Sequence, residues 1–132
     1  MNSVYILTAQ GTDIDSFGHV NNSVYIRYLE CARWNFFHDN GLLENTISGE
    51  MFPVILETSI RYIKEIHMFD KVRIDTQWTC MGGVVCNVHR IYNDQTDVLF
   101  AKAKCKLAFV SKDRIICDIP LKVKELIEGN IG

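Results

Sequence analysis

Asp13-Ile14-Asp15-Ser16-Phe17-Gly18-His19-Val20-Asn21-Asn22 runs without a break into the one long helical pattern of the chain, which ends near Gly41. Tyr25, Tyr28, Leu29, Ala32 and Phe36 recur there at helical spacing, and Val24, Cys31 and Phe37 widen the stripe, while Arg27, Glu30, Arg33 and Asn35 fall off it. The pattern predicts a helix of about five turns with a broad buried face. Asn21 or Asn22 is the natural N-cap, and Asn40-Gly41 the natural stop. The first turn of a helix has backbone N–H groups without partners inside the helix. The polar turn therefore sets an anion-stabilising helix end beside two carboxylates, which either serve the turn's own backbone or act on a bound group.

Upstream, Val4 to Ala9 reads as a first strand entering this turn. Downstream, from Pro53, the period changes to two. Val54, Leu56, Ile60 and Tyr62 alternate with Ile55, Glu57, Ser59, Arg61 and Ile63, and Val72, Ile74, Thr76, Trp78 and Cys80 alternate with Arg73, Asp75, Gln77 and Thr79. Gly82-Gly83 predicts a two-residue hairpin into Val84 to Tyr92, with both glycines free to take positive φ. A turn over Asn93 to Asp97 leads to Val98 to Ser111, where Lys102, Lys104 and Lys106 alternate with Ala101, Ala103, Cys105 and Leu107. A short strand at Ile115 to Cys117 and a helical turn or two at Leu121 to Glu128 complete the chain. The order is strand, long helix, then consecutive antiparallel strands. It predicts one α+β domain over residues 1–132, a meander wrapping its apolar face around one helix. Open sheet edges in such an arrangement favour pairing with a second copy.

Composition narrows the function. The chain has 132 residues, 48% hydrophobic and 23% charged, an ordinary globular balance without the polarity of disorder. A net charge of -2 argues against binding nucleic acid by phosphate neutralisation. Five cysteines, odd in number and without a C-x-x-C pair, read as reduced and mostly buried thiols with no metal-ligand spacing. The N-terminal apolar run is too short for a signal sequence or a membrane span, so the expected location is cytoplasmic. An EF-hand is excluded because Phe17 and Val24 stand where oxygen ligands are needed. No G-x-S-x-G, H-E-x-x-H or phosphate-loop pattern occurs, and His38, His67 and His89 read as scattered surface or strand residues.

The run DIDSFGHVNNSVYIRYLECAR resembles the signature of the hotdog-fold acyl-CoA thioesterases of the 4-hydroxybenzoyl-CoA thioesterase type: an Asp-x-Asp-x-x-Gly turn, then His-Val-Asn-Asn, then a helix carrying Tyr25, Tyr28, Glu30 and Arg33. The resemblance implies a hotdog fold, a curved antiparallel sheet of about five or six strands wrapped around one long helix. It implies hydrolysis of an acyl-CoA, with Asp15 as general base or nucleophile and the backbone N–H near Asn22 polarising the thioester carbonyl. Asp13 reads as structural, Gly18, His19 and Asn21 as supporting, and Glu30 with Arg33 as a helix-surface ion pair.

Tyr25, Tyr28, Leu29 and Trp78 are the candidates for the acyl pocket, and Arg61, Lys64, Lys102, Lys104 and Lys106 for the CoA phosphates. The resemblance further implies a homodimer or homotetramer, no metal or other cofactor, and no nucleic-acid or membrane partner. Two alternatives stand beside it: an acyl carrier protein as the thioester donor, and a hotdog protein that binds acyl-CoA without turning it over.

Overall fold

The computed structural model describes residues 1–45 and 51–129. In chain order they form β1 (Asn2–Thr8), α1 (Asn22–Asp39), β2 (Met51–Tyr62), β3 (Lys71–Met81), β4 (Val84–Asn93), β5 (Leu99–Ser111), β6 (Ile116–Cys117) and α2 (Leu121–Glu128). The strands make one antiparallel sheet in the order β1-β3-β4-β5-β2, with β6 pairing the end of β5. β1 and β2 are thus its open edges.

Register explains which residues face the helix, since residues paired across strands share a face. One inward row crosses the whole sheet as Tyr5, Ile74, Ile91, Ala101 and Tyr62. The expected helix is present at 18 residues, with Tyr25, Tyr28, Leu29, Ala32, Phe36 and Phe37 buried. Phe36 stacks on Trp78 of β3 at 4.0 Å between ring centroids, and Phe37 meets the same indole edge-on at 5.7 Å. The Trp78 Nε1–H donates to Ser3 Oγ at 2.8 Å, so the indole is both buried and satisfied. Asn40 caps α1 and Gly41 follows at φ 67°. α2 is a regular helix of 8 residues that buries Val123 and Ile127 and ends on Gly129 in the left-handed conformation.

Three expectations are corrected. Val54, Leu56, Ile60 and Tyr62 do not share a face, because a bulge falls between Ile55, paired with Leu107, and Glu57, paired with Lys106. The extra residue is Leu56, and it reverses parity: Pro53 and Ile55 face inward with Phe109 and Leu107, while Val54 pairs with Ala108 on the opposite face. In the β3–β4 hairpin only Gly82 uses positive φ (63°), so the turn needs one glycine rather than two. Of the five free cysteines only Cys105 is buried, the other four being partly exposed. His89, read as a surface or strand residue, lies on strand β4, where it is wholly buried. No helix among the described residues is long and apolar enough to cross a membrane.

The Phe36–Trp78 stack is the largest aromatic contact between helix and sheet. Phe36→Ala is expected to cost about 3–5 kcal/mol of unfolding free energy. Urea denaturation measures this, and a loss under about 1 kcal/mol would show that the stack does not anchor α1.

Candidate active site

The turn before α1 is built on backbone pairing. Ile14 and Val20 form an antiparallel bridge, the Asp15 N–H donates to His19 O at 3.1 Å, and the Gly18 N–H donates to Asp15 O at 3.1 Å. Gly18 lies at φ 87°, yet no atom stands within 4 Å of where a Cβ would project. The glycine is therefore required by its dihedral and not by a close approach. Val20, itself buried, ties the turn to the β2–β3 connection through its N–H to Ile66 O at 2.8 Å.

Asp15 is half-buried at the start of this turn, and its Oδ1 accepts the Phe17 N–H at 2.9 Å. That bond orients the carboxylate and leaves Oδ2 without a partner among the described residues. His19 supports the turn through its carbonyl, while its ring lies 3.8 Å from the Glu65 carboxylate and stacks on Phe17.

Asp13 has the opposite environment. It is 4% exposed, and its carboxylate accepts from the Gln10 N–H at 2.9 Å, the Tyr28 hydroxyl at 2.7 Å and the Arg27 guanidinium. Burial alone would raise its pKa, but the Gln10 N–H, Tyr28 and Arg27 outweigh that and hold it below the usual carboxylate range. Its carbonyl also accepts the Asn21 N–H at 3.0 Å. Asp13 is thus the rivet between turn and helix, as its structural reading requires.

At the helix start Asn21 is the N-cap, its Oδ1 accepting both the N–H and the hydroxyl of Ser23 at 2.9 Å. Val24 N–H goes to Asn21 O at 2.9 Å. The Asn22 N–H has no acceptor among the described residues, which leaves it as the open donor at the positive end of α1.

The acyl-pocket candidates are placed differently from expectation. Tyr25, Tyr28, Leu29 and Trp78 are all 4% exposed or less and belong to the packed core. Tyr28 is spent on Asp13, and burial pushes the Tyr25 hydroxyl up to about 12. An apolar stripe at helical spacing reports burial, and burial in a core and in a pocket look alike in sequence. The open space beside α1 is instead a groove of about 260 Å³ against β2, lined by Ile26, Trp34, Phe37, Pro53 and Ile55, with Arg33 among its walls.

Arg33 corrects another expectation. It makes no surface pair with Glu30, which instead accepts the Trp34 indole N–H at 3.3 Å. Arg33 is 6% exposed and donates to Cys105 Sγ at 3.5 Å. Asn87 and His89 on β4 are likewise buried. Their parity with Val85 and Ile91 was the signal that could have found them.

The basic candidates lie on the outer face of the sheet. Arg61, Lys102 and Arg90 stand directly opposite one another across β2, β5 and β4, and Lys104 lies in the next row. Arg61, Arg90, Lys102 and Lys104 share a depression of about 480 Å³. Arg90 was not expected there. Lys106 is engaged by Glu57 at 3.6 Å, while Lys64 is exposed just beyond β2. No group of three or more His, Cys, Asp or Glu among the described residues could hold a metal ion.

A family profile described as the thioesterase-like superfamily matches residues 10–127. Among curated proteins, Protein THEM6 of Xenopus laevis is 26% identical over 84% of this chain and 51% of its own length. The long-chain acyl-CoA thioesterase FadM of Escherichia coli strain K12 is 25% identical over 58% of this chain and 58% of its own length. The chain therefore spans little more than half the length of these relatives. Among solved structures, a 1,4-dihydroxy-2-naphthoyl-CoA thioesterase from Synechocystis superposes with a TM-score of 0.91 at 18% identity, covering 100% of this chain and 99% of that one. The likeness establishes the fold as the α+β hotdog arrangement.

Asp13→Asn removes the charge on which Arg27, Tyr28 and the Gln10 N–H converge, and is expected to cost about 1–3 kcal/mol at neutral pH. A depressed folded-state pKa stabilises above the unfolded value, near 3.9, and that contribution is lost as pH falls through the lower folded value. The stability gap between wild type and variant should therefore begin to narrow as pH falls below about 4. Denaturant midpoints across pH measure it, and a gap that does not narrow with acidification would contradict the clamp.

Proposed function

This chain belongs to the thioesterase-like superfamily, and from that premise we propose that it hydrolyses the thioester of an acyl-CoA to the free acid and CoA. The observation that carries the reading is the pairing of two unspent groups: the open Asn22 N–H at the helix start and the free Oδ2 of Asp15 on the turn that feeds it. The acyl-CoA thioesterase activity of the Escherichia coli relative supports the substrate class.

The thioester oxygen accepts from the Asn22 N–H, and the helix end favours the negative charge that grows there. Asp15 either takes a proton from water as the water oxygen attacks the carbonyl carbon, or attacks that carbon itself to give an anhydride that water then opens. In both routes the C–S bond breaks and the thiolate leaves as CoA. Water is the co-substrate, and the reaction calls on no resident cofactor. Gly18, His19 and Asn21 act by holding turn and cap in place.

We assign the CoA phosphates to the basic row of Arg61, Lys102 and Lys104, with Arg90 added and Lys64 at its margin. Like charges directly opposite one another weaken a sheet, so their alignment is better explained by a bound polyanion than by folding. The same flat cationic face suits an acyl carrier protein, which is the second reading. The edge strand β2 exposes Ile55 and Leu56 at 44% and 51%, and we infer that a second copy covers it, as a homodimer or a larger assembly.

Thiol release from acyl-CoAs spanning acetyl to palmitoyl, with benzoyl and phenylacetyl and matched acyl-carrier substrates, tests the reading. Wild type should turn over at least one, and Asp15→Asn should lose about 100-fold or more in kcat, close to 2.7 kcal/mol. Equal activity of the variant would remove Asp15 from the chemistry, and silence of wild type on every substrate would remove hydrolysis. Analytical ultracentrifugation should show a dimer or larger species at micromolar concentration, and a strict monomer would contradict the edge argument.

A further inference from the structure

Arg33 is a buried cation without a paired counter-ion. No carboxylate among the described residues lies within ion-pair distance of it, although the exposed Glu30 on the same groove acts on it from farther off, and its single hydrogen bond among those residues goes to a thiol, Cys105 Sγ. The buried polar side chains on the facing strand β4 are neutral and hold unspent atoms. Asn87 is paired across the sheet with Cys105, and neither its Oδ1 nor its Nδ2 has a partner. His89, two residues further along β4, gives Nδ1 to Thr76 at 2.7 Å and leaves Nε2 unpaired. Burial, and secondarily the Arg33 charge, pushes His89 down to about 3, so it is neutral at physiological pH and adds no second cation.

Burying a charge without a partner costs several kcal/mol, and each unpaired polar group adds to that. A fold needing only packing at this site would place Leu or Met there. The polar set is therefore arranged for something that arrives.

The route is set by helix geometry. Asn22, Ile26, Arg33 and Phe37 fall within one narrow arc of α1, and Ile26, Arg33 and Phe37 wall the groove against β2. Arg33 lies about 16 Å along the axis from Asn22 at 1.5 Å per residue. At roughly 1.2 Å per bond that span takes about 13 bonds, an extended chain of about fourteen carbons, and the lean of a helical side chain toward the N-terminus brings the Arg33 guanidinium within reach of about twelve. The groove's other walls, Trp34, Pro53, Ile55 and Leu107, are apolar.

We propose that this groove holds the acyl chain and that Arg33 recognises a carboxylate at its far end, so that the favoured substrates are ω-carboxyacyl-CoAs of about twelve to fourteen carbons. The proposal rests on the thioesterase reading above. Glu30 lies on the same groove and opposes an incoming anion, but it is exposed and screened, whereas Arg33 acts from a buried position where attraction is stronger.

The test compares dodecanedioyl- and tetradecanedioyl-CoA with dodecanoyl- and tetradecanoyl-CoA, alongside calorimetric binding of free dodecanedioate. Wild type should favour the carboxylated member of each pair by about tenfold or more in kcat/KM and should bind the diacid. In Arg33→Met the ratio should fall to near one and diacid binding should vanish, while Glu30→Gln should raise the ratio. No preference and no diacid binding by wild type, or a preference that survives Arg33→Met, overturns the proposal without needing any variant to fold. Diacid binding that depends on Arg33 in a protein that hydrolyses nothing supports the anion site and sinks only the thioesterase reading.

Discussion

The Asp13 carboxylate is the contact on which the rest of the arrangement depends. Buried among the Gln10 N–H, the Tyr28 hydroxyl and the Arg27 guanidinium, it joins the incoming chain to the second turn of α1. Its backbone carbonyl holds the Asn21 N–H, which places the N-cap. From there the consequences run outward. The cap satisfies Ser23, the Asn22 N–H is left open, and the Ile14–Val20 bridge closes the turn that carries Asp15 with one oxygen held and one free. Two aspartates two residues apart thus have opposite environments, one held charged by donors although buried, the other left partly solvated.

The interior shows a second division. Around Trp78, Phe36 and Phe37 the core is packed by aromatic contact, the kind of burial that stabilises. Between α1 and the middle of β4 and β5 it is polar, with Arg33, Asn87, His89 and Thr76 at 6% exposure or less. Such a patch lowers stability relative to a hydrocarbon core of equal volume. Of its members Arg33 walls the groove.

Much of this was legible in the residues. The 3.6-residue stripe and the flanking Asn21 and Gly41 located α1, because caps and period agree there. Period-two alternation located β3, β4 and β5, and their inward faces. β2 resisted, since nothing in Ile55-Leu56-Glu57 marks a bulge, and a single extra residue inverts a strand's faces. Arg33, Asn87 and His89 resisted for a different reason. The parity of Asn87 and His89 with Val85 and Ile91 marks an inward face that polar side chains seldom take, and Arg33 falls off the apolar stripe of α1, so its burial comes from the packing of the sheet and not from the helix period. The different environments of Asp13 and Asp15 were not legible, because they depend on the partners that α1 brings to Asp13 alone. The groove beside α1 could not be read at all, because a cavity is a property of packing rather than of any segment.

The most direct measurement is a crystal structure of Asp15→Asn with a bound acyl-CoA, which tests whether the helix end and the turn converge on one carbonyl. The account predicts the thioester oxygen about 3 Å from the Asn22 nitrogen, with the side chain at position 15 facing the carbonyl carbon. A thioester bound with its carbonyl away from the start of α1, and the Asn22 N–H turned to solvent, would contradict it.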